Sequence, residues 1–341
     1  MNNTADYIVS FPGLGINDLG INRVVFQFSL FGHDIAIYWY GLLIALAFLL
    51  TLLLAVRQAE KHGLKSDDIV DFFLILIPTA IIGARLYYVA FEWSQFSSDW
   101  LKILDLRSGG LAFYGGVIGA MIGIWFMAMH KRIRLSKVLD YFAVYLPLGH
   151  AIGRWGNFFN QEAFGTNTDL PWGMISNGTA SYLSKLNPDP AHPIPGLDPA
   201  LPVHPTFLYE FAANILIFVI LIFVRRRSKQ PMSTLASYFI LYGLVRFFVE
   251  GIRTDSLYTG DGFRISQLLS AAMVVFGLLV LLINIMRNNS RKKALARITL
   301  TEDQAAGLLV VPMLADAEEA SAESDELPET ESSDDDAEEK F

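Results

Sequence analysis

The chain has no cysteine. That excludes disulfides, a cysteine nucleophile and any thiolate metal site, and it leaves the compartment open. The six His include no HExxH pair, and no glycine-rich phosphate loop precedes Lys-Ser/Thr. Neither a metal nor a nucleotide cofactor is therefore expected. The first thirty residues lack a basic start followed by an apolar core, so no cleavable signal peptide is expected. An internal repeat is also missing, which weighs against the inverted-repeat transporter folds.

What the chain has in excess is apolar sequence: 53% of its 341 residues are hydrophobic. These residues gather into long runs with few charges at 35–56, 69–91, 111–130, 138–152, 206–224, 234–250 and 265–286. A bilayer core about 30 Å thick needs about 20 helical residues, and most of these runs fit. The fourth is short, which calls for a tilt, an extension at one end or a partly re-entrant path. The expected fold is an all-α integral membrane protein of seven transmembrane helices. The formal charge of −8 averages two unlike parts. Residues 301–341 hold 15 acidic residues and one Lys, whereas residues 1–300 hold 25 basic and 19 acidic ones, a balance of +6.

Basic residues set the expected orientation. Sixteen of them follow the first, third, fifth and seventh runs, among them Arg57, Lys131, Arg225 and Lys293. The opposite loops carry only seven, spread over far more chain: Arg23, Lys102, Arg107, Arg154, Lys185, Arg253 and Arg264. This places the N-terminus outside and the C-terminus in the cytoplasm. Residues 1–290 read as the transmembrane domain, with an extracytoplasmic head loop over about 153–205 that is rich in Pro, Gly and Asn. Residues 291–341 read as a basic, then acidic cytoplasmic tail, largely disordered.

Ionisable groups inside spans cost roughly 2.5–3.5 kcal/mol each, so each needs a reason. Here they are Arg85, Glu210, Arg246 and Glu250, with His150 near the end of the fourth run. On the expected topology these groups, together with Tyr40 and Tyr114, all fall in the outer half of the membrane. Tyr242, Arg246, Glu250 and Arg253 are spaced by four, four and three, so they share a helical face. The plainer reading is a self-neutralising Arg246 and Glu250 pair. The alternative counts two Arg against one Glu, a positive excess suited to a phosphate.

The third run opens Ser108-Gly109-Gly110-Leu111-Ala112-Phe113-Tyr114-Gly115-Gly116, followed by Gly119 and Gly123. Close helix packing is the expected role of the last two. A chain break or close ligand approach is expected of the doublets flanking Tyr114. Gly153-Arg154-Trp155-Gly156-Asn157-Phe158-Phe159-Asn160-Gln161-Glu162 packs charged and amide groups between aromatics, which suits a polar head group at lipid depth. His204-Pro205-Thr206-Phe207-Leu208-Tyr209-Glu210 enters the fifth run from the same side, and a bare carboxylate at Glu210 would be costly without an Arg partner.

These segments resemble the bacterial phosphatidylglycerol–prolipoprotein diacylglyceryl transferase family, in consistent order over roughly residues 30–285. The matching pieces include Trp39-Tyr40-Gly41, Gly83-Ala84-Arg85-Leu86-Tyr87-Tyr88, the Gly153 to Glu162 signature and Arg246 through Arg253. The resemblance implies an inner-membrane transferase moving the diacylglyceryl group of phosphatidylglycerol to the lipobox cysteine thiol of a preprolipoprotein. That reaction forms a thioether, releases glycerol phosphate, and is the first step of lipoprotein maturation. By that resemblance Tyr40, Arg154, Asn157, Asn160, Glu162, Glu210, Arg246 and Glu250 match functional positions of the family; the chemistry then gives Arg154 and Arg246 to the phosphate and leaves Tyr114, Glu210 or Glu162 to assist removal of the thiol proton. Phosphatidylglycerol binding is expected of Arg154, Asn157, Asn160, Tyr40, Arg246, Glu250, Arg85 and His204. Many family members carry His where this chain has Tyr114. The partners implied are phosphatidylglycerol and the signal peptide of the lipoprotein precursor, with no nucleic acid. The rival reading is a transporter or channel for an anionic lipid or small anion, which would want polar groups reachable from both sides.

Overall fold

The computed structural model describes residues 5–30, 33–97, 99–106, 109–188, 194–228, 230–259 and 262–293. Helices dominate: α1 Trp39–Gln58, α2 Ser66–Phe91, α3 Phe113–His130, α4 Leu135–Ala143, α5 Tyr145–Asn160, α6 Asn177–Leu186, α7 Thr206–Arg227, α8 Ser233–Ile252 and α9 Ile265–Lys293. Among the described residues six are long and apolar enough to cross a membrane, namely α1, α2, α3, α7, α8 and α9. Residues beyond 284 count as a separate unit, of which only the last turns of α9 are described. The acidic tail, Arg107, Ser108, Lys229 and Arg297 lie outside the described residues.

The fourth apolar run differs from its expected bounds of 138–152. It is two helices, α4 and α5, separated by the single residue Val144, which keeps helical angles at φ −64° and ψ −33°. The cause is Pro147: lacking an N–H, it cannot bond the carbonyl of Ala143 four residues back. α5 then continues to Asn160, so 153–160, expected to open the head loop, is helix. The first helix also starts later than expected, because residues up to Tyr38 are strand.

Strands are the one element that the apolar runs did not announce. β1 Tyr7–Phe11, β2 Ile16–Ile21 and β5 Ile175–Ser176 form an antiparallel sheet in the order β2-β1-β5. β3 Val24–Leu30 and β4 His33–Tyr38 form a separate antiparallel pair, and β4 runs straight into α1. The β1–β5 pairing ties the start of the chain to the segment after α5. Val9, Ile21, Phe164, Met174, Leu183 and Val203 bury together there, closed from below by Phe158 of α5 and Phe207 of α7. We refer to this side as the head end. Ser176 and Thr179 form a capping box that starts α6.

Between α2 and α3 the backbones touch. A Cβ at Gly119 would strike the Thr79 carbonyl oxygen, and one at Gly123 the Thr79 hydroxyl, which is the role the sequence suggested for small residues at these positions. Gly115 faces Gly83 and Tyr87 within α3, so the Gly115-Gly116 doublet is packed helix rather than a break. Gly109 and Gly110 do break the chain, with φ of +86° and +74°, a conformation that only glycine adopts without strain. At the end opposite the head, Lys131 bridges Asp68 (2.9 Å) and Asp71 across α2 and α3. There too, Asp140 of α4 accepts from Thr234 N (2.9 Å) and Leu235 N (3.0 Å), capping the start of α8 from outside.

Candidate active site

The signature stretch folds back on itself. α5 ends at Gln161, held at φ +50°, and the Glu162 amide donates to the Asn157 carbonyl (3.1 Å). The reversal returns the Glu162 side chain to its own helix end, where it accepts from Asn157 Nδ2 (2.9 Å) and Asn160 Nδ2 (3.3 Å). Asn157 Oδ1 in turn accepts from Arg154 Nη1 (3.1 Å). α7 begins after Pro205, so Glu210 sits one turn inside and faces α5 and α8.

Glu210 is the hub. Arg154 of α5 brings Nε to 2.5 Å from Oε2, a close ion pair without hydrogen-bond alignment. Arg246 of α8 donates through Nη1 to Oε1 (2.9 Å), and Arg253 Nη1 stands 3.8 Å from the same oxygen. Arg246 also donates through Nη2 to Glu250 (2.5 Å), while Arg253 pairs with Asp255 (2.7 Å). Three helices are thereby tied by one carboxylate.

The charge balance differs from the one expected of α8 by itself. The α8 face has a positive excess only when read alone; with Glu250, Glu210 from α7 and Asp255 beyond α8 make three carboxylates against Arg154, Arg246 and Arg253. What remains is an asymmetry of access. The Glu210 and Glu250 side chains are 2% and 1% exposed, against 21% for Arg154 and 15% for Arg246. The carboxylates stand behind and the guanidinium groups in front, so spare N–H donors are available to an incoming anion.

Deeper in the bundle the network rests on aromatic groups. Tyr242 lies one turn before Arg246 and is in hydrogen-bonding reach of Arg154. Its ring meets His150 at 5.1 Å and stacks on Tyr238 at 5.4 Å, and the Tyr238 hydroxyl is 3.4 Å from His150 Nδ1. Fully buried Asn214, one turn below Glu210, donates to the Glu210 carbonyl (2.7 Å). Asn214 and Asp255 were not singled out from sequence. Their only signals are spacings, four residues from Glu210 and two from Arg253, that most polar residues share with some charged neighbour.

The structure therefore brings Arg154, Asn157, Asn160, Glu162, Glu210, Arg246 and Glu250 together. Tyr40 is at their edge, its ring lying where a Cβ on Gly156 would be. Its neighbour Trp39 stacks on Phe159 at 4.6 Å. Tyr114 is half-buried on α3 with its ring edge-on to Phe113 (5.9 Å), and among the described residues no hydrogen bond or ion pair joins it to the network. His204 belongs to a separate chain: Trp172 Nε1 donates to the Tyr209 hydroxyl (2.9 Å), which lies 3.0 Å from His204 Nδ1. Burial holds His204 below the usual histidine range.

Arg85 is elsewhere again. Its guanidinium donates to the carbonyls of Ile103 (2.9 Å), Gly109 (2.8 Å), Gly110 (3.0 Å), Lys102 (2.5 Å) and Asp105 (2.8 Å). Every N–H it possesses is used on backbone. Among the described residues no three His, Asp or Glu are arranged to hold a metal ion.

Comparison with known proteins gives a consistent result. Residues 26–283 match the family model described as prolipoprotein diacylglyceryl transferase. A Finegoldia magna protein named phosphatidylglycerol–prolipoprotein diacylglyceryl transferase is 43% identical over 254 residues, 74% of this chain and 92% of that one. Proteins of the same name from Clostridioides difficile (38% over 252 residues, 74% and 92%) and Enterococcus faecalis (39% over 266 residues, 77% and 90%) are similar too.

Proposed function

The chain belongs to the prolipoprotein diacylglyceryl transferase family, and from that premise we propose that it carries out the reaction its relatives are named for. It would move the diacylglyceryl group of phosphatidylglycerol to the lipobox cysteine thiol of a lipoprotein precursor. The observation that carries this reading is the pair of partly exposed guanidinium groups, Arg154 and Arg246, each braced by a buried carboxylate.

A thiol of pKa about 8.5 becomes a nucleophile when nearby cations favour its thiolate. The sulfur attacks the glycerol carbon bearing the phosphate ester. A C–S bond forms, the C–O bond breaks, and the electron pair leaves on glycerol phosphate. Arg154 and Arg246 take that phosphate, where their donors meet the developing charge. Glu210 and Glu250 hold the two arginines in place. Asn157 and Asn160 couple Arg154 to Glu162. With both oxygens of Glu210 facing guanidinium groups, the thiol proton goes to the Glu162 carboxylate, directly or by relay through the Tyr114 hydroxyl, which gives up its own proton as it accepts. Glu162 is exposed and is held by one oxygen only.

We also read the chain as a multi-pass protein of the bacterial inner membrane with seven crossings, N-terminus outside. The near-continuous α4 and α5 supply the fourth crossing, and the sided basic residues support the orientation. Residues 161–205, which follow α5, form its extracytoplasmic head.

The test is transfer of labelled diacylglycerol from phosphatidylglycerol to a lipobox peptide. Wild type should transfer, Arg246→Ala should not, and Arg154→Lys and Arg246→Lys should be impaired, because an ammonium cannot reproduce the planar donor fork. Unchanged turnover in both lysine variants would sink the phosphate clamp. No transfer by folded wild type, with both substrates present, would turn the reading toward transport. Comparing Glu162→Gln with Tyr114→Phe separates transfer to the carboxylate directly from transfer relayed by the hydroxyl.

A further inference from the structure

The connection from α2 to α3 is unlike a solvated loop. Its backbone turns inward and its apolar side chains turn outward. On the outer side Trp100 is 69% exposed, Leu104 75% and Phe113 73%, with Trp93, Leu101 and Leu111 beside them. On the inner side Arg85, nearly buried, takes five carbonyls drawn from both halves of the connection. Phe96 covers the guanidinium face at 5.1 Å. Gly110 has no room for a side chain, since a Cβ there would meet Arg85 Nη1 and the Tyr88 ring.

A loop in water has no need of such an arrangement, because water satisfies carbonyls. Hydrocarbon does not, and irregular backbone is tolerated at lipid depth only where its polar groups are bonded internally. We propose that residues 99–106 and 109–113 lie in the outer leaflet, with Arg85 as the built-in donor that lets irregular backbone rest among lipids. The occupant of the outward face is the bilayer itself. The surface is continuous with the lipid-facing sides of the two helices it joins: Phe91 closes α2 at 73% exposure and Phe113 opens α3. Asp99, Lys102 and Asp105 limit the depth to the level where head groups meet acyl chains, and Trp100 suits that level. The inference rests on α2 and α3 crossing the membrane and is independent of the transfer chemistry.

The absence of cysteine makes a direct test simple. A spin label on Leu104→Cys, in the full chain in phosphatidylethanolamine and phosphatidylglycerol vesicles, is compared with labels on Leu46→Cys of α1 and Ser184→Cys of α6. The Leu104 label should collide with oxygen several-fold more than with a water-soluble nickel chelate, as at Leu46, whereas Ser184 should show the reverse. A Leu104 label as open to the chelate as Ser184, with Leu46 protected, would overturn the lipid placement. Arg85→Lys and Gly110→Ala should each raise chelate access at Leu104 several-fold while leaving Leu46 unchanged. If both variants leave Leu104 protected, Arg85 is not what holds the segment there. Should either variant fail to fold, the measurement in the otherwise unaltered chain still decides the placement.

Discussion

Consider replacing Glu210 with glutamine. The amide keeps the shape and one acceptor oxygen but removes the negative charge shared by Arg154, Arg246 and Arg253. Removing one partner of a buried pair costs about 3–5 kcal/mol. The arginines retain some exposure, from 12% to 21%, so water recovers part of the loss and the lower end applies, about 3 kcal/mol. At roughly 2–4 °C per kcal/mol, the apparent melting temperature should fall by about 6–12 °C. Arg154 would lose its brace, and KM for phosphatidylglycerol should rise roughly tenfold, equivalent to about 1.4 kcal/mol of lipid binding. The assays are tryptophan-monitored melting in nanodiscs and transfer kinetics with varied lipid. If Glu210 were instead the group that takes the thiol proton, glutamine would lower kcat by about 10²–10⁴. Loss of that size with melting temperature and KM unchanged would refute the bracing role.

Two further outcomes follow from the geometry. Gly119→Ala sets a methyl against the Thr79 carbonyl and should push α3 from α2, costing about 1–3 kcal/mol in a thermal melt; an unchanged melt would mean the helices can separate freely. His204 takes its proton less readily in the fold than in the unfolded chain, whose value is about 6.5. Its contribution to stability is thus fully present above that pH and is lost as pH falls below it, until the folded group also protonates. Melting curves across this window should show a smaller loss in His204→Gln than in wild type.

The six long apolar helices were legible because their signal is long: about twenty mostly apolar residues in a row match the thickness of a bilayer and exceed what a strand or a short core helix needs. The strands were not, since six-residue elements such as Ile16–Ile21 carry little pattern, and β1 finds β5 more than 160 residues away. Residues 153–160 looked like loop because glycine and asparagine favour turns, yet neighbours on α1 and α7 hold them helical. The charged cluster was legible as residue types but not as a balance, because Glu210 joins the α8 face from another helix. Arg85 shows the sharpest limit. Its partners are carbonyls, which every residue has, so no spacing in the sequence announces them.

The three-helix tie at Glu210 also has a consequence for how the protein is made. Arg154 leaves the ribosome well before Glu210, and Arg246 follows 36 residues after that. On the proposed topology, until α7 arrives α5 must carry an arginine near its outer end without the Glu210 counter-charge, at a cost below the roughly 2.5–3.5 kcal/mol of an arginine at a helix centre. Such a helix gains little by leaving the translocation machinery early. Its release into lipid is best coupled to the arrival of α7, so membrane integration of α5, α7 and α8 would proceed as a group rather than one helix at a time.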